Sequence, residues 1–407
     1  VSRVRAAQVF AAFAFTYFFS ALLRAVTATL APAFSSELGL HAADLGLLAG
    51  VYFLGFAAMQ LPLGNALDRH GPRRVIIALL GVAVLGCVGF AQAHSLGTLI
   101  AARGLVGVGV AACLMAPLTC FRRHFSPSAQ LRANSWMLMT GSLGMVASTL
   151  PVQWLLPAWG WRGLFWAVAA MLVLCMAVIR SSVPADERHR SAGGDSGYGE
   201  IWRHPLFLRM APLGFFLYGG MIAVQSLWAG PWLTRVAGQS PAQAAQGLFL
   251  INTGMLFTFM TWGAVMPTLV RRGLGAARIM AWGVPVSLAL LALNVWLGEG
   301  AGAWNWAAWC ISSTVVSLSQ PAVGQAFPEA QAGRALSAFN LVIFGGVFCL
   351  QWGIGLGVDA LVAIGLSERR AYQSAFALFW VSCVMAYLSF ALAPRFRADN
   401  GSRIAPT

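Results

Sequence analysis

The sequence contains no lysine and little charge of any kind: charged residues make up 9% of its 407 positions, and all 26 basic residues are arginine. A soluble domain usually carries about 25% charge. So little charge cannot cover a water-facing surface, which excludes the two or three soluble domains that this length would otherwise imply. Catalytic signatures are also missing. There is no HExxH, no CxxC, no Cys/His cluster and no pair of carboxylates inside an apolar run, so neither an enzyme nor any metal or organic cofactor is expected. The seven cysteines (Cys87, Cys113, Cys120, Cys175, Cys310, Cys349 and Cys383) fall within or at the edge of apolar runs and read as small packing residues.

What is abundant is apolar: hydrophobic residues reach 59% and the mean hydropathy is +0.73. A membrane-spanning helix takes roughly 20 mostly apolar residues. Runs of that kind lie at 8–33, 43–67, 73–93, 96–120, 133–157 and 162–179, and again at 206–233, 242–270, 276–297, 304–327, 334–360 and 371–393. The first run is too long for a cleavable signal peptide, so none is expected. Between the two sets of six lies the longest hydrophilic stretch, with the composition of a flexible link. The expectation is an all-α membrane protein of twelve transmembrane helices. Residues 1–180 and 205–395 form two six-helix bundles, 181–204 a cytoplasmic central loop and 396–407 a cytoplasmic tail.

The formal charge of +14 could be mistaken for a nucleic-acid footprint, but its distribution excludes nucleic acid as a partner. Twenty arginines fall in the amino terminus, the even-numbered links and the carboxyl tail. Four (Arg162, Arg235, Arg369 and Arg370) fall in the odd-numbered links, and Arg24 and Arg103 lie within spans. That asymmetry places both termini in the cytoplasm, of a cell inner membrane by expectation.

The two sets of six also resemble each other. A shift of 202 residues lays Leu67-Asp68-Arg69-His70-Gly71 on Leu269-Val270-Arg271-Arg272-Gly273, Arg132-Ala133 on Arg334-Ala335, Ser135 on Ser337, and Gly144 on Gly346. Paired halves are a recurrent transporter plan, with the substrate held at their interface.

The link between the second and third runs reads Gly64-Asn65-Ala66-Leu67-Asp68-Arg69-His70-Gly71-Pro72-Arg73-Arg74. It resembles the signature loop of the major facilitator superfamily. Gly64 permits close helix approach, and Gly71 a sharp reversal. The resemblance implies that Asp68, with Arg69 and Arg73 beside it, meets the positive end of the helix formed by the eleventh run and latches the cytoplasmic ends of the two halves. Val270 replaces Asp68 in the second copy, so one such latch is expected. Arg103-Gly104-Leu105-Val106-Gly107-Val108-Gly109 in the fourth run is also similar to the family. Here Arg103 serves structure or coupling, and Gly107 and Gly109 admit a neighbouring backbone. The Gly160-Trp161-Arg162 corner is similar as well. The fifth run departs from the family's drug antiporters, since it lacks their glycine-proline pair.

Arg24 is the most informative single residue. It lies inside the first run, and burying it costs about 2.5–3.5 kcal/mol on insertion scales. No carboxylate or histidine of the sequence falls at mid-membrane depth to pair with it. A planar guanidinium left in that position suits an anionic ligand, which it can hold bidentately; the alternative is a structural clamp onto carbonyls or amides. Tyr17, Ser20, Arg24 and Thr27 recur at helical spacing, a polar stripe expected to face a central cavity. Further candidate binding residues are Tyr52 and Gln60, Tyr218, Gln225 and Trp228, Asn252, Asn340 and Gln351, each with interhelical hydrogen bonding as the plainer role. Gln60-Leu61-Pro62 and Trp228-Ala229-Gly230-Pro231 mark expected bends. The shift of 202 from Arg24 lands on Ser226, which excludes the arginine pair of the family's organophosphate exchangers.

The resulting expectation is a monomeric secondary transporter moving a small organic anion by alternating access. Its partners would be the lipid bilayer and a coupling proton or exchanged anion. The alternatives are a drug or metabolite efflux transporter and, further off, a membrane sensor.

Overall fold

In hydrocarbon every backbone N–H and C=O must find its partner within the chain, and a helix supplies one residue by residue. The computed structural model, which describes residues 3–184 and 198–393, is helical almost throughout, with no strand among the described residues. Span 1 is Arg3–Leu38, span 2 Ala42–His70 and span 3 Pro72–Ala91. Span 4 is Leu96–Val110 continued by Ala112–His124, and span 5 is Pro127–Ala147 continued by 150–159. After a break at Gly160, span 6 covers 161–182. Span 7 is Pro205–Val236, span 8 Pro241–Arg271 and span 9 Ala276–Leu297. Span 10 covers 303–325, span 11 is Glu329–Ala363 and span 12 Glu368–Leu392. Of the central loop, 185–197 lies outside the described residues, as does the tail, and Gly199–Arg203 forms a short helix.

Among the described residues nine helices are long and apolar enough to cross a membrane, or ten when the pair 42–58 and 60–67, bent by 41°, is taken as one. The two remaining spans of the twelve-helix fold escape that test for local reasons. The first turns of span 5 carry Gln130, Arg132 and Asn134, and its last segment runs on into span 6 across Gly160. Span 10 is broken by a 3-10 stretch at Thr314–Leu318 and carries Ser312, Ser313, Ser317, Ser319 and Gln320. The bend in span 2 falls at the expected Gln60-Leu61-Pro62. Span 7 is wound unevenly, with π-helical turns at Leu213–Tyr218, Val224–Trp228 and Trp232–Val236.

Two glycines make the turns that the sequence demands. Gly71 sits at φ 79° between spans 2 and 3, and Gly160 at φ 61° and ψ 169° between spans 5 and 6, a region that side chains rarely allow. The corner after Gly160 is tied down at once. Trp161 Nε1 donates to Glu37 Oε2 at 2.5 Å, Arg162 pairs with Glu37, and Arg162 also donates to the Ala93 carbonyl at 2.9 Å. Spans 1, 3 and 6 thus meet at the far end of the molecule, the end remote from the termini.

The internal repeat has a structural counterpart. A Cβ on Gly144 of span 5 would overlap the Phe18 carbonyl of span 1, and a Cβ on Gly346 of span 11 would overlap the Phe215 carbonyl of span 7. Glycines aligned by the 202 shift therefore make the same kind of backbone approach between corresponding spans. The core of the second half is aromatic: the Trp232 ring lies 5.1 Å from Trp306 and 5.0 Å from Phe376. Six of the seven cysteines are buried and Cys349 is exposed.

Candidate functional site

Arg24 occupies the middle of span 1, where spans 2 and 7 also approach. Its guanidinium carbon lies 5.6 Å from the Phe56 ring centroid, and Tyr17, Tyr52 and Tyr218 are within electrostatic reach of the charge. The Arg24 Nε is enclosed without a hydrogen-bond partner, while the side chain as a whole stays partly accessible. Among the described residues no ion pair involves Arg24. The charge is thus flanked by ring faces and phenols from both halves, an environment that weakly favours a cation and supplies no anion.

The stripe on span 1 does not face one cavity. Tyr17 packs its ring against the backbone at Gly141 of span 5. Ser20 is 1% exposed, and its carbonyl accepts from the Tyr52 hydroxyl at 3.4 Å. Thr27 turns toward span 4, where its Oγ1 accepts from Arg103. Three of the four stripe positions therefore join helices, and Arg24 alone keeps a partly open side chain. The cause is geometric: a 36-residue helix packed against spans 2, 4, 5, 6, 7 and 8 has little free face.

Arg103 is a clamp. It is 1% exposed, donates to the Leu23 carbonyl at 2.8 Å and to Thr27 Oγ1 at 2.7 Å, and stacks 4.7 Å from the Tyr52 ring. Gly107 and Gly109 flank it from span 4. A Cβ on the first would overlap the Tyr52 carbonyl, and on the second the backbone of Ala83. Spans 2, 3 and 4 pack through these two positions.

The remaining polar candidates form interhelical hydrogen bonds. Gln225 Nε2 donates to Asn252 Oδ1 at 2.9 Å, joining spans 7 and 8, and Asn252 Nδ2 donates to the Leu248 carbonyl at 2.8 Å. Gln351 Nε2 donates to Ser226 Oγ at 2.9 Å, while its own Oε1 is buried without a partner. Trp228 is fully buried, and its Nε1 donates to the Gln351 carbonyl at 3.2 Å. Asn340 Nδ2 reaches Gln60 Oε1 at 3.5 Å across the two halves and accepts from Gln320 Nε2. Ser226, the repeat counterpart of Arg24, thus accepts a hydrogen bond from the Gln351 amide. Gln320 and Phe344 escaped the sequence reading. Phe344 sits 4.7 Å from Phe56 and 6.1 Å from Phe53, across the interface from Arg24's wall, and a phenylalanine in an apolar run gives no signal of such a place.

The loop between spans 2 and 3 is only partly visible as a latch. The Asp68 side chain lies outside the described residues. Arg69 is exposed, and Arg73 donates to the Arg180 carbonyl, tying span 3 to the end of span 6. Gly64 makes no close approach: a Cβ there would meet nothing within 4 Å.

The sequence profile described as Major Facilitator Superfamily matches residues 13–351. The 4-hydroxybenzoate transporter PcaK of Acinetobacter baylyi is 28% identical over 159 residues, covering 38% of this chain and 34% of that protein. The multidrug resistance protein MdtL of Escherichia coli is 26% identical over 160 residues, covering 38% and 40%. The chain thus spans two fifths or less of the length of these relatives. Among solved structures, a bacterial homolog of the human lysosomal transporter Spinster superposes with a TM-score of 0.76 at 18% identity, covering 97% of this chain and 98% of that one. The D-xylose-proton symporter gives 0.77 at 13%, covering 95% and 98%. With its twelve-helix fold, duplicated packing and a profile match over most of its length, the chain is a multi-pass membrane protein that belongs to the Major Facilitator Superfamily.

Proposed function

We propose that the chain moves a small organic anion across the membrane by alternating access, with two six-helix halves (1–180 and 205–395) rocking about a site where Arg24 holds the negative charge. The observation that carries this reading is the surroundings of Arg24: a partly accessible side chain lined by aromatic rings and phenols, with no ion pair among the described residues. A buried or half-buried cation without a counter-ion is costly in the membrane, and an arriving carboxylate removes that cost through paired hydrogen bonds. Phe56, Phe344 and the phenols of Tyr17, Tyr52 and Tyr218 give the site aromatic walls. PcaK, named for transport of an aromatic carboxylate, supports the same solute class. The arginine asymmetry supports an orientation with both termini in the cytoplasm, and the arginine-only basic content supports an inner membrane.

MdtL favours a second reading, export of drugs or metabolites. Cationic drugs call for an acidic anchor, and the sequence places no carboxylate at mid-membrane depth. Uptake of labelled 4-hydroxybenzoate and aliphatic monocarboxylates into proteoliposomes separates the readings. Arg24→Gln is expected to lower uptake of the transported acid at least tenfold while leaving the melting temperature within a few degrees. Undiminished uptake by that variant would remove Arg24 from the binding role.

A further inference from the structure

The far end of the molecule is held by a contact that neither Arg24 nor the loop between spans 2 and 3 uses. The first amides of a helix have no partner within it, and in span 2 they are met from the other half. The Ala42 N–H donates to Asp359 Oδ1 at 3.2 Å and the Ala43 N–H to Asp359 Oδ2 at 2.9 Å, so both oxygens of a span 11 carboxylate cap span 2. A negative charge at a helix start is favoured by the helix dipole, and bonds to an ionised acceptor are strong ones. Asp44, in the same turn, is occupied elsewhere: it accepts from the His41 N–H at 3.0 Å.

The surrounding seam lets the carboxylate reach. A Cβ on Gly355, one turn before Asp359, would overlap the Ala42 carbonyl, and a Cβ on Gly46 would overlap the Gln351 carbonyl. Bare backbone meets bare backbone. Among the described residues no ion pair involves Asp359; Arg235, on the same cavity wall as His41 and Asp359, lies 3.8 Å from Glu368. The corresponding helix start in the second half, span 8, is capped locally: Ser240 N–H donates to Gln243 Oε1 at 2.9 Å and Gln243 N–H to Ser240 Oγ at 3.3 Å. The bond between halves is therefore built on one side of the repeat.

We propose that Asp359 is the far-end gate of the transport cycle. As a carboxylate it fastens span 2 to span 11, and it must leave the Ala42 and Ala43 amides each time the halves part at this end. The gate borders a cavity of about 600 Å³, lined among others by Ser35, His41, Leu45, Thr234 and Tyr372, which parting halves would widen. The family resemblance implies that Asp68, at the opposite end of span 2, engages the start of span 11. Asp359 of span 11 capping span 2 would be the reverse of that arrangement on the same helix pair.

Leu45 lines the cavity and is 5% exposed, which makes Leu45→Cys a reporter of far-end opening. Cys349→Ser removes the exposed native thiol, and the other six are buried. In the purified full-length protein, Asp359→Ala is expected to raise labelling of the reporter by a hydrophilic maleimide about tenfold, ~1.4 kcal/mol in the opening equilibrium. Asp359→Asn keeps one acceptor oxygen and is expected to raise it by a smaller factor. Melting temperatures identify variants that have failed to fold, and if the alanine variant fails the asparagine variant carries the test. Labelling within twofold of the parent in a folded variant would overturn the gate. The readout needs no solute, so it stands or falls separately from the Arg24 reading.

Discussion

Arg103 and Thr27 share a 2.7 Å hydrogen bond between spans 4 and 1, and the same guanidinium nitrogen reaches the Leu23 carbonyl one turn away. Of the two arginines that the sequence places within spans, this one is fully buried and grips oxygens of span 1, whereas Arg24 stays partly accessible, with the Phe56 ring and the Tyr52 hydroxyl beside it and no ion pair among the described residues. That contrast separates a fastening from a binding group. Arg103→Gln is expected to cost about 1–3 kcal/mol, because it leaves buried acceptors unpaired. Thr27→Val should cost about 0.6 kcal/mol, the mean for a polar contact between membrane helices. Thermal unfolding of the purified variants measures both, and wild-type melting of Arg103→Gln would refute the clamp.

Arg24→Lys tests the shape of the charge as well as its sign. An ammonium keeps the positive charge but offers no planar fork. Weaker binding of a carboxylate, by about tenfold or ~1.4 kcal/mol, is expected from Arg24→Lys. Complete loss is expected from Arg24→Gln. Titration of the transported acid by calorimetry reads both, and equal affinity for the three proteins would contradict the assignment.

Overpacking should separate the glycines of span 4 from Gly64. Gly107→Ala and Gly109→Ala each drive a Cβ into neighbouring backbone, an insertion that costs about 1–3 kcal/mol in a packed core. Gly64→Ala meets open space in this conformation and should leave the melting temperature nearly unchanged. If it slows transport all the same, the place where Gly64 is needed is another conformation of the cycle.

The far-end corner gives a paired comparison. Glu37 bonds Trp161 and Arg162 at an exposed position, so Glu37→Gln should cost less than about 1 kcal/mol and less still at high salt. Gly160→Ala forces a side chain into its φ 61°, ψ 169° backbone and should cost about 1–3 kcal/mol. Denaturation in parallel would expose an inverted order.

Span number and repeat were legible because apolar run length and arginine placement answer directly to bilayer thickness and insertion. Gly71 and Gly160 were legible because each turn has few backbone solutions. The polar candidates were found as residues but not as partners. Nothing in spacing along the chain tells Gln225 that it will meet Asn252 on the next span, or Gln351 that it will meet Ser226, 125 residues earlier. The stripe on span 1 misled for a related reason. Helical periodicity assigns residues to a face, and the neighbouring helices then divide that face among themselves. The Asp359 contact was hidden because its partners are backbone amides, which carry no residue identity to read.

Span 7 leaves one mechanical consequence. At each of its three wide turns the hydrogen-bond ladder steps from the fourth to the fifth residue, so the helix is slightly underwound there. Converting a wide turn to an ordinary one advances the following segment by about one residue step, some 1.5 Å along the axis, with every amide still satisfied inside the bilayer. Such a conversion would let Tyr218 shift relative to Arg24 while Trp232 keeps its contacts with Trp306 and Phe376.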